Sequence, residues 1–480
     1  MTTQLSSLPD THRFDPSILR EYDVRGTVGK TLNEQDALAL GAAFASFVIK
    51  AGGKTICVGY DGRHSSPSLT DAFIQGARLC GADVTKLGCG PTPMVYFAVK
   101  DRLFDAGVMV TGSHNPPEYN GFKMTLLKKG VFGEDIQTLG KIAQDGQFNI
   151  AQTQGELNSL DVREDYVARL LRDLKWPEGK ELRVAWDAGN GATGDILKMM
   201  VKQLPGEHIL LFEDIDGDFP NHHPDPTVDK NLKDLQAAVA KHKCDIGIAF
   251  DGDGDRIGVV DENGGILRSD RLLTLYAGEI LKRKPGAPII ADVKCSHILF
   301  ETIAKLGGQP VMWKTGHSLV KSKMAELSAP LAGELSGHIF FADGYYGFDD
   351  GLYCALRLLN ILGEGDQPFS ALLNDLPETI STPEIRLDVP EETKFDIPEK
   401  IRANVQSYKE TLSEEEQKNY QINDIDGIRL TTEDGWWLLR ASNTQNCLVI
   451  RLEAETQEGM ERLQNSLRSF LETQGLDFIA

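Results

Sequence analysis

Positive charge is scarce in this chain: 50 lysines and arginines stand against 71 aspartates and glutamates in 480 residues, a formal net charge of -21. A deficit of that size argues against nucleic acid or an anionic membrane surface as a partner, since both select a basic face. Long apolar runs are missing too, and nothing approaches the ~20 apolar residues that a membrane span needs. Cysteine is sparse and unpatterned. The seven (Cys57, Cys80, Cys89, Cys244, Cys295, Cys354, Cys447) are odd in number and contain no C-x-x-C. They read as reduced thiols, not as a disulfide frame or a zinc site. Met1-Thr2-Thr3-Gln4-Leu5 lacks a basic stretch followed by an apolar run, so no signal peptide is expected and a cytoplasmic location is the default.

What is present is ordinary globular material, 41% hydrophobic and 25% charged with 47 glycines, in a chain too long for one hydrophobic core. Apolar strands alternate with amphipathic helices, the pattern of α/β domains. Residues 33–50 predict a helix, with Asn33 as N-cap, Asp36 three residues on and Gly52-Gly53 as the stop. Residues 54–60 predict a strand, after which Ser66 as cap and Pro67 open a helix that stops at Gly81. Further strands are expected over 106–111, 182–186, 245–250 and 289–292, each ending in a small polar turn, where α/β sheets place their ligands. Residues 382–398, rich in proline and acid, read as a linker. Short strands around 436–440 and 447–453 and a helix from about 457 to 473 then read as a smaller α+β domain. The expected division is 1–158, 159–265, 266–380 and 381–480.

Two segments carry the chemistry. Thr111-Gly112-Ser113-His114-Asn115-Pro116 presents a serine on a loop that Asn115-Pro116 keeps turned. Asp251-Gly252-Asp253-Gly254-Asp255-Arg256 presents three carboxylates at alternate positions, which repel one another strongly unless a cation sits between them. An EF-hand is excluded because its sixth position is Arg256, not glycine. A hydroxyl nucleophile beside an oxygen-ligand metal site is equipment for phosphoryl transfer. His114 and Lys123 stand near the serine in sequence, able to supply charge or a proton, and Arg256 follows the aspartates, placed to hold a phosphate. Glu334, Ser336 and His338 in Gly333-Glu334-Leu335-Ser336-Gly337-His338 suit sugar hydroxyls, though a polar turn explains the same residues equally well. Arg440-Ala441-Ser442-Asn443-Thr444 reads as a phosphate nest or a plain hairpin. Tyr22, Arg25, Lys294 and His317 are single polar residues able to add local positive charge or hydrogen bonds. Gly53-Lys54-Thr55 is no P-loop, because it runs from helix to strand, and His222-His223 lacks metal-ligand spacing on a helix.

Taken together, TGSHNP, DGDGDR, GELSGH and RASNT, with Arg20-Glu21-Tyr22-Asp23-Val24-Arg25-Gly26 and Phe348-Asp349-Asp350-Gly351, resemble the α-D-phosphohexomutase superfamily. The likeness is to its bacterial phosphomannomutase/phosphoglucomutase branch and runs from about Phe14 to the C-terminus. The resemblance implies three similar mixed-sheet α/β domains and a smaller C-terminal α+β domain around a central cleft. It implies that Ser113 carries a phosphate and that Asp251, Asp253 and Asp255, with that phosphate, hold Mg²⁺. Sugar contacts fall on Glu334, Ser336 and His338, and phosphate contacts on Arg440, Ser442, Asn443 and Thr444. The implied activity moves a phosphoryl group between C1 and C6 of mannose and glucose phosphates through glucose 1,6-bisphosphate or its mannose counterpart. Catalytic roles fall on Ser113, His114, Lys123, Arg256, His317 and His338, and Tyr22, Arg25, Lys294 and His317 line the substrate. The expected state is a monomer or weak homo-oligomer. Phosphoglucosamine mutase and a non-catalytic sugar-phosphate or Mg²⁺-binding protein are the alternatives. Leu335, and Gln445-Asn446 where a proline often follows the loop, are the departures from the branch pattern.

Overall fold

Three times along the chain an apolar strand is flanked by two parallel neighbours, one of which is followed by a strand that returns antiparallel beside it. In the first unit, Thr55–Tyr60 lies between Asp83–Cys89 and Ala106–Val110, and Tyr119–Leu126 returns. In the second, Arg183–Asp187 lies between Glu207–Leu211 and Ile246–Phe250, and Ile257–Asp261 returns. In the third, Pro288–Asp292 lies between Gln309–Trp313 and Leu331–Gly333, and Ile339–Phe341 returns. Val24–Thr27, Leu157–Ser159 and Ile266–Leu267 extend the edges of the first two sheets. The computed structural model describes residues 8–127, 129–176, 180–443 and 445–478. The architecture is thus three similar mixed-sheet α/β units and a smaller C-terminal α+β unit.

Ala106–Val110 and Ile246–Phe250 are buried at every position, which is why they read as continuous apolar runs and not as alternating ones. Helices such as Ser66–Leu79, Thr92–Arg102 and Lys233–His242 make the crossovers that parallel strands require. Helix Glu34–Lys50 starts with the expected capping box: Asn33 Oδ1 accepts from the Gln35 and Asp36 amides, and Asp36 returns the bond to the Asn33 amide. The cap expected from Ser66 is corrected. Ser66 is the first residue of its helix, and its hydroxyl donates to Asp61 Oδ1 at 2.6 Å instead of capping.

The reading of 382–398 as a linker is also corrected. Ile385–Asp388 pairs antiparallel with Cys447–Ala454, and helix Asp396–Glu410 packs on the same sheet. Prolines at a strand edge and at a helix start are compatible with both elements. That sheet is otherwise a meander of Gln421–Asn423, Ile428–Thr432, Gly435–Ala441 and Cys447–Ala454, with Ile380–Ser381 also paired to the last of these, and is covered by helix Gln457–Glu472.

One apolar core runs continuously through the first three units, including Met94, Trp186, Phe250, Leu272 and Leu352. The fourth has its own, built on Trp437, Leu439, Ile450 and Leu463. Among the described residues a small apolar patch, Val293 with Trp436 and Leu438, joins the fourth unit to the third, beside polar contacts such as those from Arg429 to the Val293 and Cys295 carbonyls. No helix among the described residues is long and apolar enough to cross a membrane, and none of the seven cysteines is in a disulfide.

Candidate active site

The shared topology decides where the polar loops fall. Each unit's connection from its last parallel strand to the returning strand emerges at the carboxyl end of the parallel strands, the ligand-binding edge of an α/β sheet. These connections are residues 111–118, 251–256 and 334–338, and they meet. Ser113 Oγ donates to Asp251 Oδ2 at 3.1 Å, and Arg256 forms a backbone bridge with His338.

Ser113 is buried and has φ +51°, a left-handed conformation that costs a non-glycine residue roughly 1–2 kcal/mol. Side chains below the loop hold it there. Arg63 Nη1 donates to the carbonyls of Pro116 and Tyr119 and Nη2 to those of Ser113 and Asn115, at 2.6 to 3.1 Å. Asp61 accepts from Thr111 Oγ1, the Gly112 amide and Arg63 Nε. Gly112 is required because a Cβ there would lie 2.5 Å from the Arg63 guanidinium carbon. Arg25 reaches the same loop, donating to Asn115 Oδ1 at 2.7 Å and pairing with Asp23.

Asp251, Asp253 and Asp255 are fully buried, and an oxygen from each lies within 4.8 Å of the others. Burial and the two neighbouring carboxylates push the Asp251 pKa well up. Asp253 Oδ1 and Asp255 Oδ1 are buried with no hydrogen-bond donor. Buried carboxylate oxygens without a donor, in a cluster of three aspartates, fit a hard divalent cation. Lys123, from strand Tyr119–Leu126, reaches in at 2.7 Å from Asp253 and 2.5 Å from Asp255. Burial disfavours its ammonium, but the two aspartates outweigh burial and hold its pKa well above the ordinary lysine value.

His114 Nδ1 is 3.2 Å from Ser113 Oγ. Burial, reinforced by Arg256, Arg25 and Lys123, depresses its pKa well below the usual range, so His114 is a neutral hydrogen-bonding group and the positive charge at this end comes from Lys123 and Arg256. Arg256 Nε donates to His338 Nε2 at 3.0 Å, and His338 Nδ1 lies 2.9 Å from Asp349 Oδ2. His317 stacks on His338 with ring centroids 5.5 Å apart, and burial and Lys321 keep it neutral. Glu334 accepts from the Gly316 amide at 2.5 Å and from Ser336 Oγ at 3.4 Å, and burial raises its pKa.

The fourth unit closes the far side. Asn443 donates to Tyr22 Oη at 2.5 Å, and Tyr22 donates to the Thr315 carbonyl while its ring edge meets His317. Arg440 Nε donates to Asp426 Oδ2 at 2.9 Å, and Lys294 Nζ lies 2.7 Å from Glu384. Ser442 Oγ accepts from the Gln445 amide at 3.2 Å. Thr444 lies outside the described residues. The sequence-selected residues therefore form two polar ends, one around Ser113 and the aspartates and one around Arg440, Asn443 and Lys294, with His317 and Tyr22 between them. Arg25 belongs with the serine end.

Residues to which sequence reasoning gave no role are the supporting ones: Asp61 and Arg63 under the serine, Lys321 and Asp349 (the latter quoted only as part of a family motif) behind the histidines, and Asp292, Glu384 and Asp426 among the cations. Asp61-Gly62-Arg63 had a signal, being a charged pair at a strand end of the kind the ligand loops occupy.

Models of the phosphoglucomutase/phosphomannomutase α/β/α domains I, II and III match residues 16–149, 164–265 and 268–380, and the model of that family's C-terminal domain matches 384–469. A phosphomannomutase/phosphoglucomutase of Pseudomonas aeruginosa is 43% identical over 455 residues, 95% of this chain and 95% of its own. A phosphoglucomutase of Neisseria meningitidis is 43% identical over 457 residues, 95% of this chain and 97% of its own. The crystal structure of a phosphoglucomutase/phosphomannomutase family protein from Burkholderia thailandensis superposes with a TM-score of 0.89 at 44% identity, covering 96% of this chain and 98% of that one. With four domain models in order and relatives matched nearly end to end, this chain belongs to the phosphoglucomutase/phosphomannomutase family of the α-D-phosphohexomutase superfamily.

Proposed function

We propose that this chain interconverts the 1- and 6-phosphates of glucose and mannose, acting as a cytoplasmic monomer or weak homo-oligomer divided near residues 158, 265 and 380. The observation that carries the reading is Ser113 Oγ, held in a strained buried loop 3.1 Å from the first of three buried carboxylates. Asp251, Asp253 and Asp255, together with a phosphate on Ser113, would hold Mg²⁺, which when bound would neutralise charge on the phosphoryl group in transfer.

A hexose 1-phosphate binds with its phosphate at Arg440, Ser442, Asn443, Thr444 and Lys294, so that O6 faces phosphorylated Ser113. The P–Oγ bond breaks as a P–O6 bond forms. His338, or His317 beside it, takes the O6 proton, Lys123 supplies a proton to the serine oxygen, and Arg256 holds the phosphoryl oxygens. Support for the base is that His317 is held neutral. The resulting 1,6-bisphosphate turns end for end, and Ser113 takes back the other phosphate; added glucose 1,6-bisphosphate would restore any dephosphorylated serine. Glu334 and Ser336 contact sugar hydroxyls away from C2, and this is the physical case for accepting both glucose and mannose. Relatives at the same 43% identity carry both names.

A coupled assay with Mg²⁺ and a trace of glucose 1,6-bisphosphate tests the reading. Comparable turnover of glucose 1-phosphate and mannose 1-phosphate is expected; preference for glucosamine 1-phosphate would move the chain to amino-sugar chemistry, and no turnover would reject the mutase. Arg440→Ala is expected to raise KM and lower turnover, with kcat/KM down about ten- to a hundredfold, the scale of a lost charge-assisted hydrogen bond. Unchanged kinetics would remove Arg440 from the phosphate site.

A further inference from the structure

The phosphate end of the cleft already contains its own anions. Lys294 Nζ lies 2.7 Å from Glu384 Oε2 and 3.7 Å from Asp292 Oδ2. Arg440 pairs with Asp426, and Arg386 stands 3.7 Å from the other Glu384 oxygen. Three cations are balanced by three carboxylates, whereas a phosphate dianion binds best where positive charge is in surplus.

The three carboxylates are not held alike. Asp292 is fully buried and accepts from the Leu335 amide, Thr315 Oγ1 and Cys295 Sγ. Asp426 accepts from the Thr315 amide as well as from Arg440. Among the described residues, the Glu384 carboxylate meets only the two cations, and its side chain is 26% exposed. It sits between Ile380–Ser381 and Ile385–Asp388, where the chain leaves the third unit and enters the sheet of the fourth. Lys294, with further help from Arg386 and Arg440, holds its carboxyl at about 2, so it stays ionised.

We propose that Glu384 is a displaceable counter-ion: it pairs with Lys294 in the ligand-free chain, swings towards solvent when a substrate phosphate arrives, and pairs again when that phosphate leaves. This rests on reading Lys294 and Arg440 as a phosphate site. The pairing weakens binding at this end and favours release. A bisphosphate that must let go in order to turn round gains from such release, because binding that is equally tight throughout lowers KM without raising kcat.

Glu384→Gln keeps the shape and removes the charge. In a Ser113→Ala background, where turnover is too slow to intervene, calorimetric titration with glucose 1-phosphate is expected to show Kd lowered about twofold to fivefold, the scale of a partly screened charge pair. Inorganic phosphate should tighten in parallel. With Ser113 restored, Glu384→Gln should lower both KM and kcat. Adding Lys294→Met should abolish the tightening. Unchanged or weaker binding in Glu384→Gln, or tightening that survives without Lys294, would overturn the proposal. If phosphate binding tightens as expected while the chain bearing Ser113 turns over no sugar phosphate, the mutase reading falls and the counter-ion stands.

Discussion

Replacing Ser113 by alanine is expected to lower mutase turnover by a factor on the order of a thousand or more, because it removes the hydroxyl proposed to hold the phosphoryl group between the two transfers. The fold should survive. Alanine has the same Cβ as serine, so the left-handed φ of +51° becomes no more strained, and the carbonyl of residue 113 keeps its bond from Arg63. The hydroxyl's own contacts are to His114 Nδ1 and Asp251 Oδ2, and neither supports the loop. A coupled assay measures the loss, intact-protein mass should show no phosphorylated species, and the thermal midpoint should stay within about 2 °C of the parent. Residual turnover within tenfold of the parent would mean that another group carries the phosphate.

How much of this was legible in the sequence depends on whether a residue acts by its own chemistry or by its position. The three aspartates could be read because like charges at alternate positions have few explanations without a cation, and the structure brings their oxygens within 4.8 Å of one another. The capping box at Asn33 and Asp36 was legible for the same local reason. The equivalence of loops 111–118, 251–256 and 334–338 was not, because it resides in strand order and the three segments share no residue pattern. Ser66 misled because two serines precede Pro67, and the demand of Asp61 for a donor, not the helix end, claims the second hydroxyl. Glu384 was hidden in a stretch whose prolines and acids mimic a linker; only pairing with Cys447–Ala454 reveals a strand. Residues that support others, such as Lys321 beside Asp349, carry no sequence signal beyond their charge.

Arg63 is the strongest case of a supporting residue, and Arg63→Met is expected to be the most destabilising single change near the site. Arg63 is 1% exposed; its guanidinium donates to the carbonyls of Ser113, Asn115, Pro116 and Tyr119 and to Asp61, and lies 5.1 Å from the Phe219 ring of the second unit. Methionine fills similar space but leaves those carbonyls without donors and Asp61 without its cation, a loss of about 3–5 kcal/mol for a broken buried pair. Arg63→Lys keeps the charge and isolates the geometry. One ammonium offers three donors from a single point and cannot span carbonyls that the planar fork reaches from two nitrogens. The lysine variant should therefore fold, with a smaller stability loss, and still lose about tenfold or more in kcat, because the Ser113 loop is no longer pinned 3.1 Å from Asp251 and misplacement of a reacting group costs rate steeply. KM should change little, since Arg63 lies beneath the loop and does not face the sugar-phosphate cations. Denaturant unfolding of both variants, paired with kcat and KM for the lysine form, separates the two effects. Parental kcat in Arg63→Lys would show that charge alone supports the serine and that the fork geometry is dispensable.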